Sequence, residues 1–182
     1  MQKSKGFVSA VMFVMTLAMV ACASTRTQKS AGEQVDDTVT TASVKSALIA
    51  DPVTKAHQID VEVFKGTVQL NGFVDTAASK ERATEVARKQ KGVTAVRNNL
   101  TVKTTERSGD QVVDDSEITA KVKSALAGDP RTKAHQINIE TRNGVVQLSG
   151  FVDSSEAKST AEELARAVDE VKSVDNELDV KK

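Results

Sequence analysis

One stretch of this chain is written twice, 78 positions apart, and any fold has to accommodate both copies. Residues Lys45 to Val74 are KSALIADPVTKAHQIDVEVFKGTVQLNGFV, and Lys123 to Val152 are KSALAGDPRTKAHQINIETRNGVVQLSGFV. Extended to its limits, Asp37 to Lys103 aligns with Asp115 to Lys181 without a gap, and roughly half the positions are identical. A gapless tandem repeat means two like modules, which fixes the domain number before any motif is considered. Modules of this size bury only about 60% of their unfolded surface, so their cores are thin and leave little room for an enclosed pocket. Two complete copies therefore suit modules that bind or stack better than they suit an enzyme.

The N-terminal segment stands outside the repeat. Lys3 and Lys5 precede an apolar run from Phe7 to Val20, which is shorter than the ~20 residues a spanning helix needs and matches a secretory signal over residues 1–22. Met19-Val20-Ala21-Cys22 resembles a bacterial lipobox, and Cys22 is the only cysteine of the chain. That resemblance implies cleavage before Cys22, lipidation of its thiol, and a periplasm-facing anchor in the outer membrane. The alternative is cleavage after Ala23 and a soluble periplasmic product. Residues 23–36 are polar and lack apolar period, as a flexible tether would be; residues 104–114 form a second, short linker.

Within each repeat the periodicities predict a common order of elements. Val44, Ala47 and Leu48, and in the second copy Ile118, Val122, Ala125 and Leu126, mark an amphipathic first helix that Asp51-Pro52 or Asp129-Pro130 ends. Ile59, Val61 and Val63 alternate with Asp60 and Glu62, and the alternation resumes at Val68 and Leu70 after Lys65-Gly66, a hairpin signal matched by Asn143-Gly144. A second helix over Thr76 to Gln90 or Asp153 to Val168 and a last strand over Val96 to Lys103 or Val174 to Lys181 complete the unit. The expected fold class is α+β, an α/β sandwich of two tandem αββαβ modules at 37–103 and 115–182. Each module is a three-stranded mixed sheet, closed by a right-handed crossover, with both helices on one face and the other face open.

This element order, the helix-ending Asp-Pro, the hairpin glycines and the paired phrases Val68-Gln69-Leu70-Asn71-Gly72-Phe73-Val74 and Val146-Gln147-Leu148-Ser149-Gly150-Phe151-Val152 resemble the BON domain. The resemblance covers about three quarters of the chain. It implies phospholipid binding at the bacterial envelope, in support of outer-membrane integrity or the osmotic stress response. In a two-domain lipoprotein of the family, lipid contact is attributed to the first helix of the second module. By that correspondence Lys121 and Lys123 become lipid-binding candidates.

Charge divides the two copies. Residues 37–103 hold 10 Lys or Arg against 7 Asp or Glu, and residues 115–181 hold 9 against 13. In the first copy Arg82, Arg88, Lys89, Lys91 and Arg97 gather near the end of the second helix, where the second copy has Glu162, Glu163, Asp169, Glu170 and Asp175. From charge alone Arg88, Lys89 and Lys91 are added as lipid-binding candidates, with an anionic phospholipid surface as the partner and contact between the two modules expected. The competing reading is a periplasmic chaperone-like module that holds envelope proteins on its open sheet face. No catalytic, metal or cofactor site is expected. His57 and His135 stand alone at equivalent loop positions, no phosphate-loop motif occurs, and the absence of Trp and Tyr with zero formal net charge opposes nucleic-acid binding.

Overall fold

Alternating apolar residues need a second layer to cover them, and the repeat supplies it locally with its own helices. The computed structural model describes residues 31–54, 58–103 and 109–182. The signal segment, Cys22, tether residues 23–30, His57 and linker residues 104–108 lie outside that set. The first module comprises α1 (Ala31–Ala50), β1 (Ile59–Phe64), β2 (Thr67–Val74), α2 (Ala77–Arg88), β3 (Ala95–Asn98) and β4 (Thr101–Val102). The second comprises α3 (Gly109–Gly128), a 3-10 turn at Ala134–Gln136, β5 (Ile137–Arg142), β6 (Val145–Val152), α4 (Ser155–Arg166) and β7 (Ser173–Val180). In both, the central strand pairs antiparallel with its hairpin partner and parallel with the last strand. Each module is thus the mixed three-stranded αββαβ unit the periodicities predict.

Two separate cores result. One joins Val44 and Leu48 of α1 to Val61, Val63, Val68, Leu70, Ala83, Val86, Ala87 and Leu100. Its counterpart joins Ile118, Val122 and Leu126 to Val146, Leu148, Ala161, Ala165, Val174 and Leu178.

Local chemistry explains the element ends. The hairpin residues Lys65, Gly66, Asn143 and Gly144 all have positive φ, as a type I′ turn requires. A buried aspartate at the same helical position in each copy holds that turn. Asp37 accepts the N–H groups of Lys65 at 2.8 Å and Gly66 at 2.9 Å, and Asp115 accepts those of Asn143 and Gly144, both at 2.9 Å. Beyond each Asp-Pro, a buried threonine donates its hydroxyl back to the end of the helix, Thr54 to the Leu48 carbonyl and Thr132 to the Leu126 carbonyl. Thr76 and Ser154 cap α2 and α4 by accepting the N–H of Ser79 and Ala157.

Three features differ from the expectations. Helices α1 and α3 begin at Ala31 and Gly109, so residues 31–36 and 109–114 are helical rather than tether and linker. Val35 and Val39 point away from the core, which hides this extension from a search for one apolar stripe. The last strand of the first module is broken between Asn98 and Thr101, whereas β7 is continuous. Finally, the outer faces of the two sheets are not open, because they cover one another: Gln69, Asn71, Phe73, Gln147 and Ser149 are all buried.

At the break, a side chain of the other module stands where a ladder bond would be. Asn99 N–H donates to the Leu70 carbonyl, so the next rung of this parallel ladder would join the Gly72 N–H to the Asn99 carbonyl. The Gln147 side-chain amide of the other module takes that place, its Oε1 accepting from Gly72 N–H at 2.6 Å and its Nε2 donating to Asn99 O at 2.8 Å. Gln69, 78 positions earlier, does the same in return. Its Oε1 accepts from Gly150 N–H at 3.0 Å, and its Nε2 donates to Asp179 Oδ2 at 2.6 Å and Glu177 O at 3.4 Å. Both glycines have positive φ, and a Cβ on either would collide with the carbonyl of Gln58 or Gln136. Around this pair, Asn138 donates to Asp60 at 2.6 Å and Glu62 at 2.8 Å, Arg97 pairs with Asp179 at 2.8 Å, and Phe64 stacks on Phe151 with centroids 5.2 Å apart.

An ionic clamp closes the end of the second sheet. Asp153 accepts Lys133 Nζ and Lys181 Nζ, each at 2.6 Å, and these bonds, that from Lys133 foremost, lower its pKa from 3.8 to about 2. A folded-state value below the unfolded one stabilises the fold above the unfolded pKa, and this contribution disappears as pH falls from about 4 towards 2. Because the carboxylate is about a third exposed, solvent screening limits the contribution to roughly 0.5–1 kcal/mol. Asp153→Asn should therefore lower the urea midpoint slightly at pH 7 and make it less sensitive to acid between pH 4 and 2. An acid limb identical to that of the wild type would contradict the assignment.

Candidate functional site

The lysines and arginines singled out from the sequence fall into two environments. In the second module Lys121 lies between Glu117 at 2.9 Å and Glu170 at 3.2 Å, and the hydrogen bonds it donates to these carboxylates, that to Glu117 first, raise its pKa. Lys123, two residues on, is exposed and has no ionic partner among the described residues. In the first module Arg88, Lys89 and Lys91 are all exposed at the C-terminal end of α2 and in the turn after it, again without ionic partners among the described residues. Arg82 and Arg97 do not join them. Arg82 is bound to Asp51 at 2.8 Å and Glu85 at 2.9 Å, and Arg97 crosses to Asp179.

The aligned positions show why the two ends differ. Arg166 corresponds to Arg88, and Glu162 one turn earlier holds it at 2.8 Å; in the first module that earlier position is Thr84. Lys91 is replaced by Asp169, and Gly92 by Glu170. One tip of the first module therefore presents three cations to solvent, next to the partial negative charge of a helix C-terminus, while the matching tip of the second is internally paired.

Little else among the described residues suggests chemistry. No group of three His, Cys, Asp or Glu side chains is arranged to hold a metal ion among them, and no described helix is long and apolar enough to cross a membrane. His135 is exposed in the 3-10 turn. A groove of about 670 Å³ runs along α1 beside the hairpin turn, lined by Val39, Thr40, Ser43, Lys65, Lys91 and Thr94 and by the acidic Glu33, Asp36 and Asp37. Sequence reasoning did not single out Gln69 and Gln147 as interface residues. Their signal was a glutamine between two core residues at the same strand position in both copies.

The family model for the BON domain matches this chain twice, at residues 36–104 and 114–182, the two αββαβ units described above. The chain belongs to the BON-domain family. It is 40% identical to the osmotically-inducible protein Y of Escherichia coli over 82% of this chain and 75% of that one. Identity to the outer membrane lipoprotein DolP of Haemophilus influenzae is 34%, over 80% of this chain and 75% of the relative. A 21 kDa hemolysin of Actinobacillus pleuropneumoniae is 36% identical over 74% of this chain and 69% of its own. With the family shown, Gly72, Gly150, Gln69 and Gln147 become the residues through which the two BON modules of this chain interlock.

Proposed function

We propose that this protein is a non-enzymatic lipoprotein of the bacterial envelope that binds anionic phospholipid through its first BON module and supports outer-membrane integrity or the osmotic stress response. The observation that carries this reading is the exposed cationic tip of Arg88, Lys89 and Lys91, set against the paired tip of the second module. Each cation close to an anionic leaflet contributes about 1 kcal/mol, whereas a lysine already held between two carboxylates adds little. The names of the relatives, an outer membrane lipoprotein and an osmotically inducible protein, support the location. The alternative of a chaperone-like module is suggested by an open sheet face and by the osmotically inducible relative; the packing of the two sheets takes away the first of these supports.

Both core clusters lie between Val44 and Leu178, so protein beginning at residue 23 keeps every core contact and lacks the apolar leader. Such protein should co-sediment with vesicles containing anionic lipid and not with purely zwitterionic ones, and high salt should release it because surface attraction is screened. Equal recovery with both vesicle types would overturn the reading. The anchor has its own test in the intact mass of the membrane-fraction protein. A diacylglyceryl adduct on Cys22 is expected, and a soluble mature form beginning at Ser24 would contradict it.

A further inference from the structure

Helix α1 carries two apolar faces, and the core uses only one. Val44 and Leu48 point inward, while Val35 and Val39 are 63% exposed and Ile49 is 67% exposed, with Ala42 and Ser46 between them and the 44% exposed Val53 just past the helix end. The spacing 35, 39, 42, 46, 49 follows steps of four and three, so these residues form a single stripe about 20 Å long on the solvent side. No charged residue interrupts it. The matching stripe of α3 differs at two places, with Glu117 for Val39 and the smaller Ala127 for Ile49, and charge stands beside it and beyond it, Lys121 for Ser43 and Arg131 for Val53 in the turn after the helix. With Glu170 at the position of Gly92, the second module builds the triad Glu117–Lys121–Glu170 at the site where the first has Val39, Ser43 and Gly92.

The cationic tip adjoins this stripe. Ser43 Oγ donates to Gln90 Oε1 at 2.9 Å, tying the end of α2 to α1, and Val39 and Lys91 line the same groove. An apolar face flanked by cations matches a boundary that is hydrocarbon on one side and anionic on the other. We infer that the outer face of α1 lies in the interfacial layer of an anionic phospholipid surface, with Val39 and Ile49 below the headgroups and Arg88, Lys89 and Lys91 among them. Asp36 and Glu33, nearer the N-terminus, stay at headgroup level. This rests on the phospholipid reading above and adds which surface enters the lipid. A second copy of the chain is the poorer occupant, because four aliphatic side chains fall far short of the about 800 Å² per partner that a stable dimer buries.

The chain contains no tryptophan, so a single one reports its own surroundings. In protein from residue 23, the indole introduced by Val39→Trp should shift its emission to the blue and become shielded from an aqueous quencher when vesicles containing anionic lipid are added. Glu117→Trp, at the matching position of α3, should show neither change. As an independent check, Val39→Gln with Ile49→Gln, both at exposed positions, should keep the wild-type unfolding midpoint and bind the vesicles about tenfold more weakly. Vesicle binding by Val39→Trp with unshifted emission, or with shifts equal to those of Glu117→Trp, would overturn the inference and leave the phospholipid reading in place. Failure of the parent protein to bind would overturn both. A blue shift in Val39→Trp that grows with protein concentration without lipid would show a second copy on this face and likewise overturn the inference.

Discussion

Replacing Gln69 and Gln147 together with alanine should separate the two BON modules without unfolding either. Each glutamine amide bridges a glycine N–H and a carbonyl within the opposite sheet, and both side chains are buried. Removing one leaves a backbone donor and acceptor unpaired in a poorly hydrated contact, at a cost of about 1–3 kcal/mol per unsatisfied group before any water enters. The double substitution should therefore weaken the interface by several kcal/mol. Each core lies within its own module, so the secondary structure should survive. In urea the wild type should unfold in one transition and the double variant in two, with the second module sensitive to Asp153→Asn and the first not. A single transition at an unchanged midpoint would show that the interlock contributes nothing to cooperativity.

The swap gives a physical reason for residues that otherwise look interchangeable. Gln147 reaches the backbone of β2 because Gly72 turns its N–H outward at a positive φ, where a Cβ would strike the Gln58 carbonyl, and Gly150 does the same for Gln69 beside the Gln136 carbonyl. A pair of polar sheet faces is thereby joined through hydrogen bonds from side-chain amides to backbone, with the Phe64–Phe151 stack beside them. The two modules also carry opposite net charge, and Arg97 pairs with Asp179 across the contact.

Much of the fold was legible because its signals are local. Alternation at Ile59, Val61 and Val63, the turn pairs Lys65-Gly66 and Asn143-Gly144, and the helix-ending Asp-Pro each act over a few residues, and the repeat supplied two independent copies of every one. What sequence reasoning missed depends on partners far along the chain. Asp60, Glu62, Gln69 and Asn71 are polar, so their sheet face appeared solvated, yet the other module satisfies three of them with bonds spanning more than seventy positions. Lys121 appeared as available as Lys123 because Glu170, which engages it, lies 49 residues away. The early start of α1 was hidden for a different reason. Its apolar residues Val35 and Val39 lie on the face opposite Val44 and Leu48, so they break the single stripe by which an amphipathic helix is recognised.

For the candidate site, charge counting located the right region and geometry narrowed it. Five basic residues gathered at one end of the first module in the sequence, and the structure engages two of them in ion pairs, leaving Arg88, Lys89 and Lys91 exposed. If these three carry the attraction to anionic lipid, neutralising them should cost far more than neutralising the lysines of α3. The comparison is vesicle affinity at low salt for Arg88→Gln/Lys89→Gln/Lys91→Gln against that for Lys121→Gln/Lys123→Gln, both in protein from residue 23. At about 1 kcal/mol per cation the triple variant should bind on the order of a hundredfold more weakly, while the double variant should lose less than about tenfold because Glu117 and Glu170 already engage Lys121. The reverse order, with the double variant losing more than the triple, would place lipid contact in the second module and refute its assignment to the first.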